Sequence, residues 1–122
     1  MSNDIVLLNR PEVHNAFDEH MIEALTVKIN GLQINEYVHA VVLRGAGKSF
    51  SAGADLNWMK RAATFTEQQN KGDALALAGM LNKLHTRPKI TIACVQGVAM
   101  GGGLGLVACC DIVIAEQDAL FA

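Results

Sequence analysis

The sequence predicts an α/β fold in which strands alternate with helices along 122 residues. Short apolar, β-branched runs alternate with stretches whose apolar residues recur every three or four positions, the spacing of an amphipathic helix. Two of these runs end in glycine-bearing loops, residues 45–53 and 97–103, and each loop leads directly into a helical pattern. Such alternation favours a parallel sheet with helices packed against it.

The first part of the chain contains two predicted strands separated by a helix. Asp4 to Asn9 is a short apolar run that stops at Arg10-Pro11, because proline lacks a backbone donor and restricts the residue before it. After the loop of residues 10–17, a helix is predicted from Asp18 to about Asn35, with acidic residues at its start. His39 to Arg44 is predicted to be a buried strand, since three consecutive apolar residues lie between polar ends.

The middle of the chain is predicted to be helical. A helix begins at Ala54 and includes Lys60. Thr66 and Gln69 form a weak capping box ahead of a further helix that runs to about His85. Pro88 marks the end of that helix, because proline cannot continue the hydrogen-bonding pattern.

The last part of the chain returns to strands. Ile90 to Val95 is a predicted strand, and a helix of small residues follows the glycines near residue 103. Asp111 to Ala115 is apolar almost throughout, as expected for a strand covered on both faces. Residues 119–122 are apolar, with no polar or turn residue to close the pattern. We therefore expect residues 1–122 to be the N-terminal part of a single domain that is incomplete at its C-terminus.

Composition excludes several classes of protein. The net charge is −2 and no basic cluster exceeds Lys60-Arg61, which argues against a nucleic-acid partner. No apolar run approaches the roughly 18 residues of a membrane span, and the N-terminus lacks the basic-then-apolar order of a signal peptide. Cys94, Cys109 and Cys110 are expected to be buried free thiols in a reducing compartment rather than a disulfide framework or zinc site. These features favour a cytoplasmic protein with no membrane partner.

The stretch from Val95 to Asp111 carries five of the eleven glycines. Gly101, Gly102 and Gly103 stand between a predicted strand and a predicted helix, where residues without Cβ let a ligand approach the main chain. The first N–H groups of a helix have no intrahelical partner, and the helix dipole makes that end positive. The pattern indicates a site for an anion, or for an oxygen that becomes anionic during a reaction. A plain turn or close helix packing is the structural alternative.

Two phosphate-loop motifs match only in part. Residues 103–108 fit G-x-G-x-x-A, but inside these 122 residues no acidic residue stands about twenty positions further on at the end of a second strand. Gly47-Lys48-Ser49 matches the end of a P-loop, yet Val42 occupies the position where that motif requires glycine. Both nucleotide-binding interpretations are therefore weak.

Three ordered blocks of the sequence resemble the crotonase superfamily, the enoyl-CoA hydratases and isomerases. They are LNRPEVHNAF at Leu8–Phe17, VVLRGAGKSFSAGADL at Val41–Leu56 and VQGVAMGGGLGLVACCDIVIA at Val95–Ala115. The resemblance covers essentially the whole chain and corresponds to about the N-terminal half of a family member. It implies the crotonase-like (ClpP/crotonase) spiral of β-β-α units. Within it, Ser51–Lys60 is most similar to hydratases of branched or carboxylated enoyl-CoAs such as methylglutaconyl-CoA.

The resemblance also implies the chemistry of the site. Family members bind an acyl-CoA thioester and pass through an enolate whose oxygen is held by two backbone N–H groups, which match Ala54 and Gly102 here. The implied substrate-binding residues are Val13, Asn15, Ala16, Ala52, Gly53, Ala54, Asp55, Leu56, Gly101 and Gly102. No metal or redox cofactor is implied, because CoA is part of the substrate. The family's assembly implies a homotrimer or homohexamer.

Structural roles compete with these assignments at several positions. For Asn15, loop capping is the alternative to ligand binding. For Asp55, capping of the following helix is favoured over catalysis. Trp58 and Met59 could touch the acyl chain, although apolar residues on a helix more often belong to the core.

One position departs from the pattern of the family's hydratases, which usually use two glutamates to deliver a hydroxyl and a proton. The first usually lies three residues after the oxyanion glycine, where this chain has Gly105. The second would lie a few residues beyond the match to Phe121, after Ala122. Three interpretations stay open: an enoyl-CoA hydratase that uses the later acid and another group, an enoyl-CoA isomerase with one shuttling carboxylate, and an inactive acyl-CoA-binding fragment.

Overall fold

The structure is a computed structural model that describes residues 2–85 and 89–122. Its strands, numbered in chain order, are β1 (Ser2–Leu8), β2 (Val38–Gly45), β3 (Ile90–Val95), β4 (Val98–Ala99), β5 (Ile112–Ala115) and β6 (Leu120–Phe121). Its helices are α1 (Glu19–Ile34), α2 (Leu56–Ala62), α3 (Glu67–His85) and α4 (Gly102–Ala108), and a short 3-10 helix covers Pro11–Val13.

The main sheet is parallel, as the alternation of strands and helices predicts. Its order is β1-β2-β3-β5, and every pair in it is parallel. The register aligns Val6 with Leu43 and Leu43 with Ala93, and these three side chains are buried. A second, two-stranded parallel sheet joins β4 to β6. The sequence analysis missed these two strands, because a two-residue strand is too short to show a periodic pattern.

Helix α1 packs against β1, β2 and α3 with the apolar stripe that its spacing predicts. The stripe residues are all buried: Ile22, Leu25, Ile29 and Leu32. Around them lie the largest enclosed side chains of the core: Phe17, Phe50, Leu8, Leu43, Met80, Leu84 and Leu106. One apolar core therefore joins the sheet to α1, α3 and α4.

Both ends of α1 are capped by charged side chains. Asp18 lies directly before the helix, and its Oδ1 accepts a hydrogen bond from the Met21 N–H at 2.8 Å. At the other end, the ammonium of Lys89 donates to the carbonyl of Leu32 at 2.7 Å and to that of Asn35. A cation that bonds the last carbonyls of a helix also interacts favourably with its dipole. The residues that Lys89 contacts lie more than fifty positions earlier in the chain, so no local sequence pattern predicts this contact.

The predicted capping box before α3 is confirmed. The Thr66 N–H donates to the Gln69 side chain at 2.8 Å, and the Gln69 N–H donates to the Thr66 hydroxyl at 3.1 Å. The helix begins at Glu67 and its described part ends at His85. The predicted stop at Pro88 lies outside the described residues.

The prediction that residues 111–115 are covered on both faces is wrong for this structure. All four residues of β5 are exposed, with Ile112 at 46%, Val113 at 44% and Ile114 at 60%. In the main sheet β5 pairs with β3 alone, so it forms the sheet edge. Apolar composition indicates that a strand favours burial, but it does not identify the element that would provide it.

The cysteines are free, as predicted, but they are only partly buried. Burial raises the pKa of Cys109, and burial together with neighbouring acidic groups raises the pKa of Cys110 to about 12. The Cys110 thiol donates to the Leu106 carbonyl at 3.3 Å. A thiol with a raised pKa is a weak nucleophile and a weak metal ligand, so Cys109 and Cys110 suit a packing role. Over the described part of the chain, no helix has both the length and the hydrophobicity that a membrane crossing requires.

The buried stripe of α1 leads to a first prediction. Ile29→Ala should lower the free energy of unfolding by about 2 to 5 kcal/mol, because it removes packed methyl groups and leaves a cavity. Val27→Ala is the matched control, since Val27 lies on the same helix but is 68% exposed, and it should change stability by less than about 0.5 kcal/mol. Urea unfolding of the purified variants measures both, and equal effects would contradict the assignment of the buried face.

Candidate active site

The two glycine loops predicted from the sequence lie side by side. Ser51, in the loop after β2, pairs with Ala99 in a parallel bridge. The Ser51 N–H donates to Val98 O at 3.1 Å, and the Met100 N–H donates to Ser51 O at 2.9 Å. A Cβ at Gly53 would stand 2.9 Å from the Met100 carbonyl oxygen, and Gly53 has a φ of +91°. Only glycine permits this close approach without strain.

The backbone N–H of Ala54 points away from its nearest neighbours. Phe17 brackets this residue, because its N–H donates to Gly53 O and its carbonyl accepts from the Asp55 N–H, both at 2.7 Å. In such a parallel bridge the groups of the bracketed residue point to the opposite side. The Gly53 N–H is also bonded, to the Ser51 hydroxyl at 3.2 Å. Within the described residues, the Ala54 N–H has no recorded acceptor.

The backbone N–H of Gly102 is open in the same way. The N–H groups on either side of it are bonded, that of Gly101 to Ala122 O at 3.1 Å and that of Gly103 to Met100 O at 2.9 Å. No acceptor for Gly102 is recorded among the residues that the structure describes. A Cβ at Gly102 would come within 3.0 Å of the Phe17 ring. Phe17 therefore lies next to both residues, bonding on either side of Ala54 with its backbone and facing Gly102 with its ring.

Asp55 caps α2, which confirms the structural role favoured for it. Its Oδ1 accepts from the Trp58 N–H at 3.0 Å, and its Oδ2 accepts from Arg10 Nη2 at 3.3 Å. The Trp58 N–H and the Arg10 guanidinium lower the pKa of Asp55, against the opposing effect of burial. The carboxylate is therefore charged at neutral pH. The sequence analysis missed the Arg10 contact, which joins residues 45 positions apart.

Asn15 holds two loops together from inside the protein. Its Nδ2 donates to Ala46 O and to Ser49 O, both at 2.8 Å, and its Oδ1 accepts from the Arg10 N–H at 2.7 Å. The residue is fully buried and adopts a left-handed φ of 56°, which asparagine tolerates better than most residues. These contacts confirm the loop-capping alternative. The Asn15 side chain lies beneath the loops rather than in a groove.

The remaining predicted substrate-binding residues differ in exposure. Ala54, Leu56 and Gly101 are exposed, whereas Ala16 and Gly53 are buried, and Val13, Ala52 and Gly102 are half-buried. A backbone hydrogen bond connects the loop of residues 10–17 to the loop of residues 45–53, since the Ala52 N–H donates to the His14 carbonyl at 2.9 Å. The structure thus brings the three sequence blocks together. Contact of these residues with a ligand remains a prediction.

Gly105 lies on α4 where that helix faces α3. A Cβ at this position would meet Leu81 Cδ1 at 3.6 Å, an ordinary van der Waals distance, so a side chain could be accommodated there.

Trp58 is partly buried and its Nε1 donates to Asp73 Oδ2 at 3.3 Å, while Met59 is half-exposed. The described residues contain no cluster of three His, Cys, Asp or Glu side chains that could hold a metal ion.

Comparison with known proteins gives concordant matches. Residues 4–122 match the family model described as enoyl-CoA hydratase/isomerase. The short-chain-enoyl-CoA hydratase of Clostridium acetobutylicum is 36% identical over 120 residues, covering 96% of this chain and 44% of its own length. The crystal structure of an enoyl-CoA hydratase from Shewanella pealeana matches with a TM-score of 0.95 at 43% identity, covering 99% of this chain and 46% of that one.

A second crystal structure, an enoyl-CoA hydratase from Mycobacterium smegmatis, matches with a TM-score of 0.89 at 36% identity. The match covers 97% of this chain and 45% of that one. The chain therefore spans less than half the length of these three relatives.

The contact between the two glycine loops leads to a second prediction. Gly53→Ala should lower the free energy of unfolding by about 1 to 3 kcal/mol, because it places a Cβ at positive φ against the Met100 carbonyl. Gly31→Ala is the control, since nothing lies within 4 Å of its added Cβ, and it should stabilise α1 by up to about 1 kcal/mol. Chemical denaturation of both variants tests this, and a neutral Gly53→Ala would argue against the close approach.

The Asp55 cap leads to a prediction about acid stability. Because its pKa is below the ordinary value of 3.8 in the folded protein, its charge favours folding above that pH. This stabilisation should decline as the pH falls below about 4 and through the folded-state pKa. Asp55→Asn should flatten this part of the stability profile measured between pH 7 and pH 3. The exposed Asp118→Asn is the control, and identical profiles for the two variants would contradict the prediction.

Proposed function

The chain belongs to the enoyl-CoA hydratase/isomerase family, and on that premise we propose that the protein binds an acyl-CoA thioester and reacts at its enoyl group. The crotonase-like α/β fold expected from the sequence is confirmed by the matches to solved structures. The observation that carries the proposed chemistry is the pair of open N–H groups at Ala54 and Gly102, two residues that both lie next to Phe17.

These two N–H groups would act on the thioester oxygen. A carbonyl oxygen between them accepts two hydrogen bonds and becomes more negative as the enolate forms. Donors fixed before the reaction need no reorganisation at that moment, and each typically contributes about 3 to 4 kcal/mol in other oxyanion holes. The adjacent N–H groups of Gly53, Asp55, Gly101 and Gly103 are already bonded within the protein. The loops therefore present Ala54 and Gly102 as donors.

We propose hydration as the reaction, on an acyl group that is branched or carboxylated. Water adds its hydroxyl to C3 of the enoyl thioester, and a proton reaches C2 after the enolate forms. Both transfers need titratable groups, and Gly105 offers none at the usual position of the first glutamate. A carboxylate beyond Ala122, with a second group, would complete the reaction. The relatives named as hydratases support this choice over isomerisation.

The two alternative functions differ in the acidic groups that they need in the same site. Isomerisation moves a proton from C2 to C4 of a 3-enoyl thioester, so one shuttling carboxylate suffices and glycine at position 105 is compatible with it. An inactive acyl-CoA-binding fragment needs the oxyanion donors but no acid. The proposal includes no metal or redox cofactor, since CoA is part of the substrate. A homotrimer or homohexamer in the cytoplasm is the assembly and location we propose.

Turnover assays separate these functions. The purified protein is incubated with branched and carboxylated 2-enoyl-CoAs, and with 3-enoyl-CoAs, while the enoyl thioester absorbance is followed. Hydration supports the main proposal, conversion of 3-enoyl to 2-enoyl-CoA supports isomerisation, and binding without turnover supports the inactive form. The intact mass is recorded on the same sample, because 13.0 kDa corresponds to this chain alone. Failure to bind any CoA thioester would contradict all three.

Gly102→Val tests the oxyanion assignment. The added side chain would cover the N–H and press against the Phe17 ring, which lies 3.0 Å from the Cβ position. Turnover should fall by at least about 100-fold, the loss seen when one such donor is removed elsewhere. Binding of free CoA and the circular dichroism spectrum check that the fold survives. Gly72→Ala is the control, because its added Cβ meets nothing within 4 Å. Normal activity in Gly102→Val would overturn the assignment.

A further inference from the structure

Helix α2 starts two residues after Ala54, and apolar packing holds it only through partly buried residues such as Trp58. None of its seven residues is buried. At its start the Asp55 carboxylate contacts Arg10 Nη2 at 3.3 Å, and at its end Arg61 Nη2 contacts Glu19 Oε1 at 2.8 Å. Polar contacts therefore lie at both ends of this helix, and the Arg10 contact is the one next to Ala54.

The Arg10 guanidinium joins the starts of two helices. Its Nη1 donates to Ala16 O at 2.6 Å and lies 3.6 Å from Asp18 Oδ2, while its Nη2 reaches Asp55 Oδ2. Each carboxylate uses its other oxygen, Oδ1, to cap its own helix, α1 for Asp18 and α2 for Asp55. One cation thus contacts both capping carboxylates and the Ala16 carbonyl. The planar, forked guanidinium holds its donors at fixed angles, whereas the compact ammonium of lysine is a point charge with rotatable donors.

The Arg10 main chain is held as firmly as its side chain. Its N–H donates to Asn15 Oδ1 at 2.7 Å, and its carbonyl accepts from the Asn15 N–H at 2.8 Å and from the Val13 N–H at 3.1 Å. The side chain is about three-quarters buried, and those of Asp18 and Asp55 are more enclosed still. Screening by water is correspondingly reduced, so this contact is more rigid than an exposed ion pair.

We propose that Arg10 is a positioning residue for the Ala54 N–H, acting through the Asp55 carboxylate. Asp55 is the residue next to Ala54, and its own N–H is bonded to Phe17 O at 2.7 Å. With Arg10 holding the Asp55 side chain, both ends of that residue are fixed and the Ala54 peptide keeps its orientation. This inference rests on the proposed function, because it concerns the donor that meets the thioester oxygen.

The test compares Arg10→Gln and Arg10→Lys with Arg61→Gln. Arg61 supplies the other ion pair that ties α2 to α1 and has no part in the proposed site, so the last variant removes a similar contact from the same helix. For the Arg10 variants, kcat should fall about 10- to 100-fold, the scale of a misplaced catalytic group. Their affinity for free CoA, which lacks the thioester carbonyl, should change less than about threefold because the oxyanion donors do not contact it. Arg61→Gln should leave both quantities within about twofold.

The Arg10→Lys variant distinguishes a positioning role of the guanidinium from a simple requirement for positive charge at position 10. If position 10 needs only a positive charge, Arg10→Lys should restore kcat, and that result would overturn the proposal. The proposal would also be overturned if kcat, the affinity for CoA and the free energy of unfolding all fell together in the Arg10 variants. A general loosening of the fold lowers all three quantities. If Arg10→Gln does not fold, Arg10→Lys alone decides between these outcomes.

Amide hydrogen exchange provides a readout that is independent of enzymatic activity. The N–H groups of Asp55 and Trp58 are bonded to Phe17 O and Asp55 Oδ1 respectively. Their exchange should accelerate at least about tenfold in Arg10→Gln relative to Arg61→Gln, as expected when a local opening becomes easier. Equal exchange in the two variants overturns the positioning role. If no acyl-CoA is bound or converted by the unaltered protein, the proposed function fails, and this measurement still decides the role of Arg10.

Discussion

The two hydrogen bonds of Phe17 on either side of Ala54 are the contact on which the site depends. They join the loop of residues 10–17 to the start of α2, and both measure 2.7 Å. The same residue places its ring in the core and beneath Gly102. The three sequence blocks, which are far apart along the chain, meet at this residue. A single buried aromatic residue thus connects the packing of the fold to the two loops that carry the open N–H groups.

Helices α1 and α2 are held to the rest of the protein by different kinds of interaction. Helix α1 and the main sheet are joined by apolar burial, which is strong and non-directional. Helix α2 has no fully buried residue, and directional polar contacts lie at both of its ends. Burial is tolerant of small displacements, whereas hydrogen bonds to fixed carboxylates are not. The directional contacts lie beside the site, where the orientation of a single N–H group matters most.

The features that could be predicted from the sequence are those that depend on local periodicity and residue type. The buried stripe of α1, the Asp55 cap and the Thr66–Gln69 box are local patterns, and the structure contains all three. The donors at Ala54 and Gly102 came from family resemblance, because a backbone N–H has no residue type of its own. The side-chain contacts of Arg10 and Asn15 could not be predicted, since their partners lie up to 45 residues away and only the folded backbone brings them together. The burial of β5 was predicted wrongly because hydrophobicity carries no information about a covering partner.

Strand β5 also bears on how the 122-residue polypeptide behaves in concentrated solution. It lies at the edge of a parallel sheet with apolar side chains exposed on both faces. The unpaired N–H and C=O groups of such an edge are a template onto which a strand from another molecule can add. Neither a proline nor a charged residue interrupts Ile112–Ala115, and these are the features that usually prevent such addition. The four residues of β5 contribute almost nothing to the core, yet they form an edge of the main sheet onto which another strand can add.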